Sequence, residues 1–288
     1  MKTSRCLTWI GSRILKITID ESRRLTKDQI KWLNKCHGWA YLKAEWTFNE
    51  ETGLVDVDGD FKTPNSHNSC KALGRNGGKR HGGIKDFMGI KFGTVTGNFD
   101  CSYNNLTNLE GAPIYVGGNF DCSYNDLRSL VGAPQEVRGN FSCIDNNITS
   151  LIGSPLRVNR NFSCSYNKLP NLEGAPMYVG ENFWCCDNCN DPHLESLQGA
   201  EECIIGGDFD CHYNKLKDLK GAPRLVYGQF RVCGNYEGNY KRIKKDTFGI
   251  VTRIMKEKNL DYIGALCLLK DSLDKKEWNK LAKGYEIG

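Results

Sequence analysis

The chain has 288 residues, with 39 basic and 34 acidic side chains for a net charge of +5. The apolar runs near its start are short and broken by Arg5, Arg13 and Lys16, so neither a signal-peptide core nor a membrane span is expected. Residues 1–96 carry 17 basic and 10 acidic side chains (+7), 97–235 carry 10 and 16 (−6), and 236–288 carry 12 and 8 (+4), and an acidic middle argues against repeats that track a phosphate backbone.

The first predicted element is a capped helix in Leu25-Thr26-Lys27-Asp28-Gln29-Ile30-Lys31-Trp32-Leu33. Thr26 and Gln29 stand at capping-box spacing, with Ile30, Leu33 and Trp39 near one face. Trp46-Thr47-Phe48-Asn49 then leads through the turn signal Glu51-Thr52-Gly53 into Leu54 to Phe61, where Val55, Val57 and Phe61 alternate, which predicts a hairpin. Residues 1–60 are therefore expected to form an α/β N-terminal cap. Val57-Asp58-Gly59-Asp60-Phe61 is similar to the later Val116-Gly117-Gly118-Asn119-Phe120, so a degenerate first coil is expected over residues 61–96. Phe61 and Phe99 are 38 residues apart, and the excess is placed in a looped-out insertion over 65–83. Its glycine-rich stretch holds Arg75, Lys79, Arg80 and His81, a set suited to a partner or a phosphate. It lacks the Gly-Lys-Ser/Thr ending of a P-loop, so a solvated arm is the competing reading.

From Gly97 to Asn235 the sequence repeats. Phenylalanines fall at 99, 120, 141, 162, 183, 209 and 230, with spacings of 21, 21, 21, 21, 26 and 21, and a fixed period in this range predicts a solenoid of seven coils. Alternation puts Phe99 and Cys101 inside a short strand and Asn98, Asp100 and Ser102 outside. The column Asn104, Asn125, Asn146, Asn167, Asn188, Asn214 and Asn235 follows each strand, where a buried amide can bond backbone groups of adjacent coils. Leu106 and Leu109 with their copies complete the interior. Gly111-Ala112-Pro113 and its copies supply a tight turn and an extended, non-helical return. The expected architecture is a β-solenoid with short strands on one face. Six of the 14 cysteines (Cys101, Cys122, Cys143, Cys164, Cys185, Cys211) keep phase with the repeat, which points to small core residues in a reducing compartment rather than to bridges.

Departures from the repeat carry the functional signal. The exposed strand position runs Asp100, Asp121, Ser142, Ser163, Trp184, Asp210, Arg231, and two residues on it runs Ser102, Ser123, Ile144, Ser165, Cys186, His212, Cys233. Trp184, Cys186, His212 and Arg231 should therefore cluster on the concave face, and with Asp100, Asp121 and Ile144 they form the expected partner surface. The competing reading packs Trp184 beneath the neighbouring insertion. That insertion makes the fifth coil 26 residues long and offers a zinc reading: Cys186-x-x-Cys189 with His193, His212 or Cys203. The spacing matches no standard finger and Cys185 already has a ladder role, so no metal and no cofactor is expected. Asp100, Asp121 and Asp210 bring no nucleophile, base and orienting group together, and no catalytic residue is expected.

Residues 236–288 open on a basic link, Tyr240-Lys241-Arg242-Ile243-Lys244-Lys245. Phe248, Val251, Ile254 and Met255, then Leu260 to Leu269, then Trp278 and Leu281 mark three helical segments, an expected α-helical C-terminal cap.

Phe99-x-Cys101-x-x-Asn104-x-Leu106 resembles the L-x-L-x-x-N-x-L core of leucine-rich repeats. The Leu-x-Gly-Ala-Pro-x-x-Val return resembles the short proline-containing repeats of bacterial effectors. Closer still is the wording of leucine-rich-repeat-like proteins of large tailed bacteriophages, through Lys31-Trp32-Leu33-Asn34, Leu54 to Phe61 and Leu109-Glu110-Gly111-Ala112-Pro113, over residues 26–235. That resemblance implies a phage protein working in the cytoplasm of the infected bacterium, and implies no activity or catalytic residue. The effectors join such repeats to a ubiquitin-ligase domain with a cysteine nucleophile. Here Cys267 lies in an apolar helical run, and that enzyme is not expected. The expected function is a non-catalytic module that binds a bacterial host protein, such as a defence factor, without membrane contact and with its oligomeric state left open. One alternative is nucleic-acid binding through Arg75, Lys79, Arg80 and the basic link. Another is a structural or assembly role in the virion.

Overall fold

The computed structural model describes residues 4–10, 13–19, 24–36, 44–64, 83–188, 193–216, 219–232 and 235. Residues 65–82 of the insertion expected over 65–83, the fifth-coil residues 189–192 and the expected helical cap over 236–288 lie outside the described residues.

Among the described residues the chain is a parallel β-solenoid with very little helix. Phe61–Lys62, Phe99–Asp100, Phe120–Asp121, Phe141–Ser142, Phe162–Ser163, Phe183–Trp184, Phe209–Asp210 and Phe230–Arg231 form one eight-stranded sheet in unbroken sequence order. Each phenylalanine faces the next across the ladder, from Phe61 with Phe99 to Phe209 with Phe230.

Strands on one face were expected, but the return is also a sheet. Leu54–Asp58, Phe92–Val95, Tyr115–Val116, Glu136–Val137, Arg157–Val158, Tyr178–Val179, Ile204–Ile205 and Leu225–Val226 run parallel in a second sheet, joined at its edge by the antiparallel Glu45–Asn49. The reason lies in the Gly-Ala-Pro turn. Once it has reversed the chain, the residues after the proline are extended and lie against the same residues of the next coil, so their backbone groups pair: Ile114 N donates to Gly93 O (2.9 Å) and Gly117 N to Val95 O (2.8 Å). Gly111 is required there twice over, by its φ of +88° and because a Cβ would lie 2.1 Å from Ile90 O.

Between the sheets the phenylalanine, cysteine, leucine and valine columns are fully buried. Phe99 stacks on Phe120 at 5.6 Å and 6°, whereas from Phe162 onward the rings turn edge-to-face, Phe183 meeting Phe209 at 89°. The ladder cysteines are free thiols. Cys122, Cys143, Cys164, Cys185 and Cys211 bond the next coil's backbone, as Cys143 Sγ donates to Ser163 O at 3.4 Å. Burial pushes the Cys101, Cys122, Cys143, Cys164 and Cys185 thiols well above their ordinary range, so they stay neutral and inert.

The amide column behaves as its position in the sequence suggests. Asn167 Nδ2 donates to Cys143 O (3.0 Å), Cys164 O (3.0 Å) and Ser165 O (3.2 Å), and its Oδ1 accepts from Ile148 N (3.1 Å). One side chain thus closes its own turn and ties it to the preceding coil. A second amide ladder lies at the opposite corner. Asn98 Oδ1 accepts from Asn119 N, Asn119 Oδ1 from Asn140 N and Asn140 Oδ1 from Asn161 N, at 2.7, 2.8 and 3.1 Å. Alternation had marked these residues only as outward-facing.

Upstream, Ser4–Ile10 and Arg13–Ile19 pair as an antiparallel hairpin. The helix Lys27–Leu33 opens with both bonds of a capping box between Thr26 and Gln29. It buries Trp32 and Leu33, while Ile30, expected on the buried face, is exposed. The helix is short and is anchored through Trp32, whose ring lies 6.1 Å from that of Phe61. Glu45–Asn49 and Leu54–Asp58 form the hairpin read from the sequence.

Asn167→Ala removes three donated bonds and one accepted bond in a buried turn. It is expected to lower unfolding free energy by about 3 kcal/mol or more, because each stranded buried group costs about 1–3 kcal/mol. Asn161→Ala, in the more open corner ladder, should cost about 1 kcal/mol. Urea denaturation of both variants checks the ranking, and equal losses would contradict it.

Candidate functional site

Cross-strand register lays out the outward row of the phenylalanine sheet as Lys62, Asp100, Asp121, Ser142, Ser163, Trp184, Asp210 and Arg231. Over the first coils this row is closed by local bonds. Ser102 N and Oγ donate to Asp100 Oδ1 at 3.0 and 2.6 Å, and Lys62 Nζ pairs with Asp100 Oδ2 at 2.8 Å. Ser123 N donates to Asp121 Oδ1 at 2.9 Å, and the Ser123 and Ser142 hydroxyls are 2.7 Å apart. Ile144 is half-buried beside them. Burial raises the Asp121 carboxyl above its ordinary range. Bonds from the Ser123 side chain and backbone oppose that rise, the nearby Asp100 adds to it, and Lys62 lowers it.

The pattern changes at the fifth strand. Trp184 is half-buried between Ser163 and Asp210. Arg231 follows Asp210, with NH2 2.9 Å from Asp208 Oδ2, NH1 3.8 Å from Asp210 Oδ2, and Nε donating to Gln229 Oε1 at 3.1 Å. His212 Nδ1 lies 2.5 Å from Asp210 Oδ1, and His212 N donates to the same oxygen at 3.2 Å. The structure therefore gathers Trp184, Cys186, His212 and Arg231 around Asp210.

Two residues depart from the display expected of them. Cys186 is buried, its thiol donating to Asp210 O at 3.3 Å and its backbone N to Ser165 Oγ at 3.1 Å. Asp210, at the outward strand position, is only 4% exposed because His212 folds over one carboxylate oxygen while Arg231 approaches the other. Asp210 is the residue that sequence reasoning undervalued. The signal was present, since it is the only carboxylate in its row flanked by His and Arg.

Among the described residues, the metal-competent side chains whose ligand atoms lie within 4.8 Å of one another are Cys186, Asp210 and His212. His193 and Cys203 stand outside this group. His193 Nε2 lies 2.5 Å from Lys215 Nζ, and Cys203 is buried in the return. Cys189, Arg75, Lys79, Arg80 and His81 lie outside the described residues.

The return side displays apolar residues that the sequence reading did not single out. Ile114, Leu156 and Met177, each directly after a turn proline, are 54%, 64% and 57% exposed, and Arg157 lies over the Tyr178 ring at 4.1 Å. The signal was the apolar Ile114, Leu156 and Met177 at a repeat position that also carries Gln135 and Arg224 and has no place left in the core. At the N-terminal edge a groove of about 680 Å³ is lined by Glu45, Trp46, Asp56 and Asp58, among others. Two of its carboxylates hold the sheet together: Asp56 Oδ1 accepts from Thr94 N at 2.7 Å, and Asp58 Oδ1 from Thr96 Oγ1 at 2.9 Å.

Comparison with protein-family models, with curated proteins and with solved structures gives no match. Among the described residues no helix is long and apolar enough to cross a membrane.

Asp121 provides a pH test. Its folded-state value is raised above 3.8, so its protonated form favours the fold; that contribution is complete below about pH 3.8 and is lost as pH rises through the folded value. Asp121→Asn keeps an acceptor for Ser123 and carries no charge. It is expected to raise the melting temperature at pH 7 and to make no difference in strong acid; a gain that persists unchanged at low pH would contradict this.

Proposed function

We propose that this chain is a non-catalytic binding module that holds a protein partner on the outward face of its phenylalanine sheet. The observation that carries the reading is the in-register run Trp184, Asp210, Arg231 over adjacent strands. The repeat residues around it are consumed in holding the coils together. Trp184 and Arg231 offer the side-chain types that dominate interface energetics, on a backbone that loses little freedom on binding. Asp210 and Asp208 fix the guanidinium, with His212 beside it. An acidic repeat region favours a partner with basic side chains around its contact and disfavours nucleic acid on this face.

Within the same proposal, the coils are leucine-rich-repeat-like. Supporting this, the asparagine of the Phe-x-Cys-x-x-Asn-x-Leu wording closes the strand in successive coils. Residues 1–60, and the segments of 236–288 that the sequence predicts to be helical, act as caps that shield terminal coils with otherwise unpaired sheet edges. The partner is a bacterial host protein, such as a defence factor, met in the cytoplasm of an infected cell. Free buried thiols accord with a reducing compartment.

Affinity isolation from infected bacteria is expected to recover one reproducible host protein. Trp184→Ala combined with Arg231→Ala should weaken its binding by at least about 2 kcal/mol, or roughly thirtyfold, measured by calorimetry on the purified pair. Leu156→Ser with Met177→Ser, on the return side, should leave binding unchanged. Loss in the second variant alone would move the interface to the return face.

A further inference from the structure

We propose that Cys186, Asp210 and His212 form a binding site for a divalent transition-metal ion of the zinc class, leaving a fourth position open toward solvent or a bound partner. The site stands independently of the protein-binding reading, although it lies beside the same Trp184 and Arg231.

Its first support is geometric. One sulfur, one carboxylate oxygen and one imidazole nitrogen converge within 4.8 Å, from two adjacent coils locked in register by the Trp184–Asp210 pairing. A tetrahedral ion with bonds of about 2.0–2.3 Å holds its ligand atoms roughly 3.3–3.7 Å apart. The His212–Asp210 contact of 2.5 Å therefore opens by about an ångström, within the reach of side-chain rotation at a half-exposed histidine.

The repeat itself provides the second support. The column that holds Cys186 and His212 carries serine at positions 102, 123 and 165, and serine already satisfies the strand end there, as Ser102 does with Asp100. Folding does not call for a thiol and an imidazole at this position, yet they occur in neighbouring coils, on either side of a buried carboxylate. Soft sulfur, imidazole nitrogen and one carboxylate oxygen make a ligand set suited to zinc and unlike the all-oxygen sets of magnesium or calcium.

Charge provides the third. A thiolate and a carboxylate balance a divalent cation, so the occupied site is neutral where an uncompensated charge would be costly. Binding forms a metal–sulfur bond and releases the Cys186 thiol proton to solvent, while the imidazole binds neutral through Nδ1. Arg231 does not block this arrangement. It approaches Asp210 from the Oδ2 side at 3.8 Å, makes its closer contact to Asp208 at 2.9 Å and is 48% exposed, leaving Oδ1 to face the cluster.

The test is a Co2+ titration of the whole purified, metal-stripped chain without partner. One equivalent should bind, giving a thiolate-to-cobalt charge-transfer band and the d–d absorption of a tetrahedral ion, both displaced by Zn2+. Cys186→Ser should abolish the charge-transfer band. Because it installs the residue other coils carry, its unchanged melting profile separates ligand loss from misfolding. His212→Ser should weaken binding by at least about tenfold. Retention of the band in Cys189→Ser supports this ligand set. The proposal is overturned if the intact chain shows no band at millimolar cobalt, if Cys186→Ser keeps the band, or if Cys189→Ser alone loses it.

Discussion

The structure depends on satisfying backbone groups where each short strand ends. Strands of two residues supply few ladder bonds, and the coil must turn immediately after them at a buried position. The buried asparagine resolves this by donating to three carbonyls and accepting one N–H across two coils. Because the amide satisfies its own turn and its neighbour's together, the coils stabilise one another, and the ladder continues across the 26-residue fifth coil, where Asn188 N donates to Asn214 Oδ1 and Asn214 Nδ2 to Cys185 O.

That solution tolerates strain. The residue before the amide adopts a left-handed backbone in successive coils, at Tyr103, Tyr124, Asp145, Tyr166, Asp187 and Tyr213, with φ between 51 and 59°. Such a conformation costs a non-glycine residue about 1–2 kcal/mol. A single buried phenylalanine contributes about 1.5–3 kcal/mol, and each coil also buries a cysteine, two leucine-type residues and a valine-type residue, so packing outweighs the strain. The strain therefore belongs to the scaffold and marks no special site.

Function can then occupy only positions the scaffold leaves free. On the phenylalanine sheet these are the outward row and its neighbour, closed by Ser–Asp bonds in the early coils and occupied by Trp184, Cys186, Asp210, His212 and Arg231 in the later ones. Cys186 and Asp210 looked displayed because period-two alternation sorts residues only into in and out. Alternation does not register that a histidine two residues on folds back over a carboxylate, or that a thiol settles on the next coil's carbonyl. The exposed Leu156 and Met177 were passed over for a related reason: they lie in a return expected to be extended but without strands, whereas it is itself a sheet with an outward row.

From the sequence alone came the solenoid, its period, the inward phenylalanine, cysteine and leucine columns, the role of the asparagine column, the capped helix and the hairpin that follows it. All of these rest on local periodicity or on contacts between identical positions of neighbouring coils, which a repeat writes into the chain directly. Tertiary structure alone decided the second sheet, the corner ladder through Asn98 and Asn119, the burial of Cys186 and the closure of His212 and Arg231 over Asp210. Those features depend on how closely two coils approach and on which rotamer each side chain takes, and neither quantity is encoded in the spacing of residues along a strand.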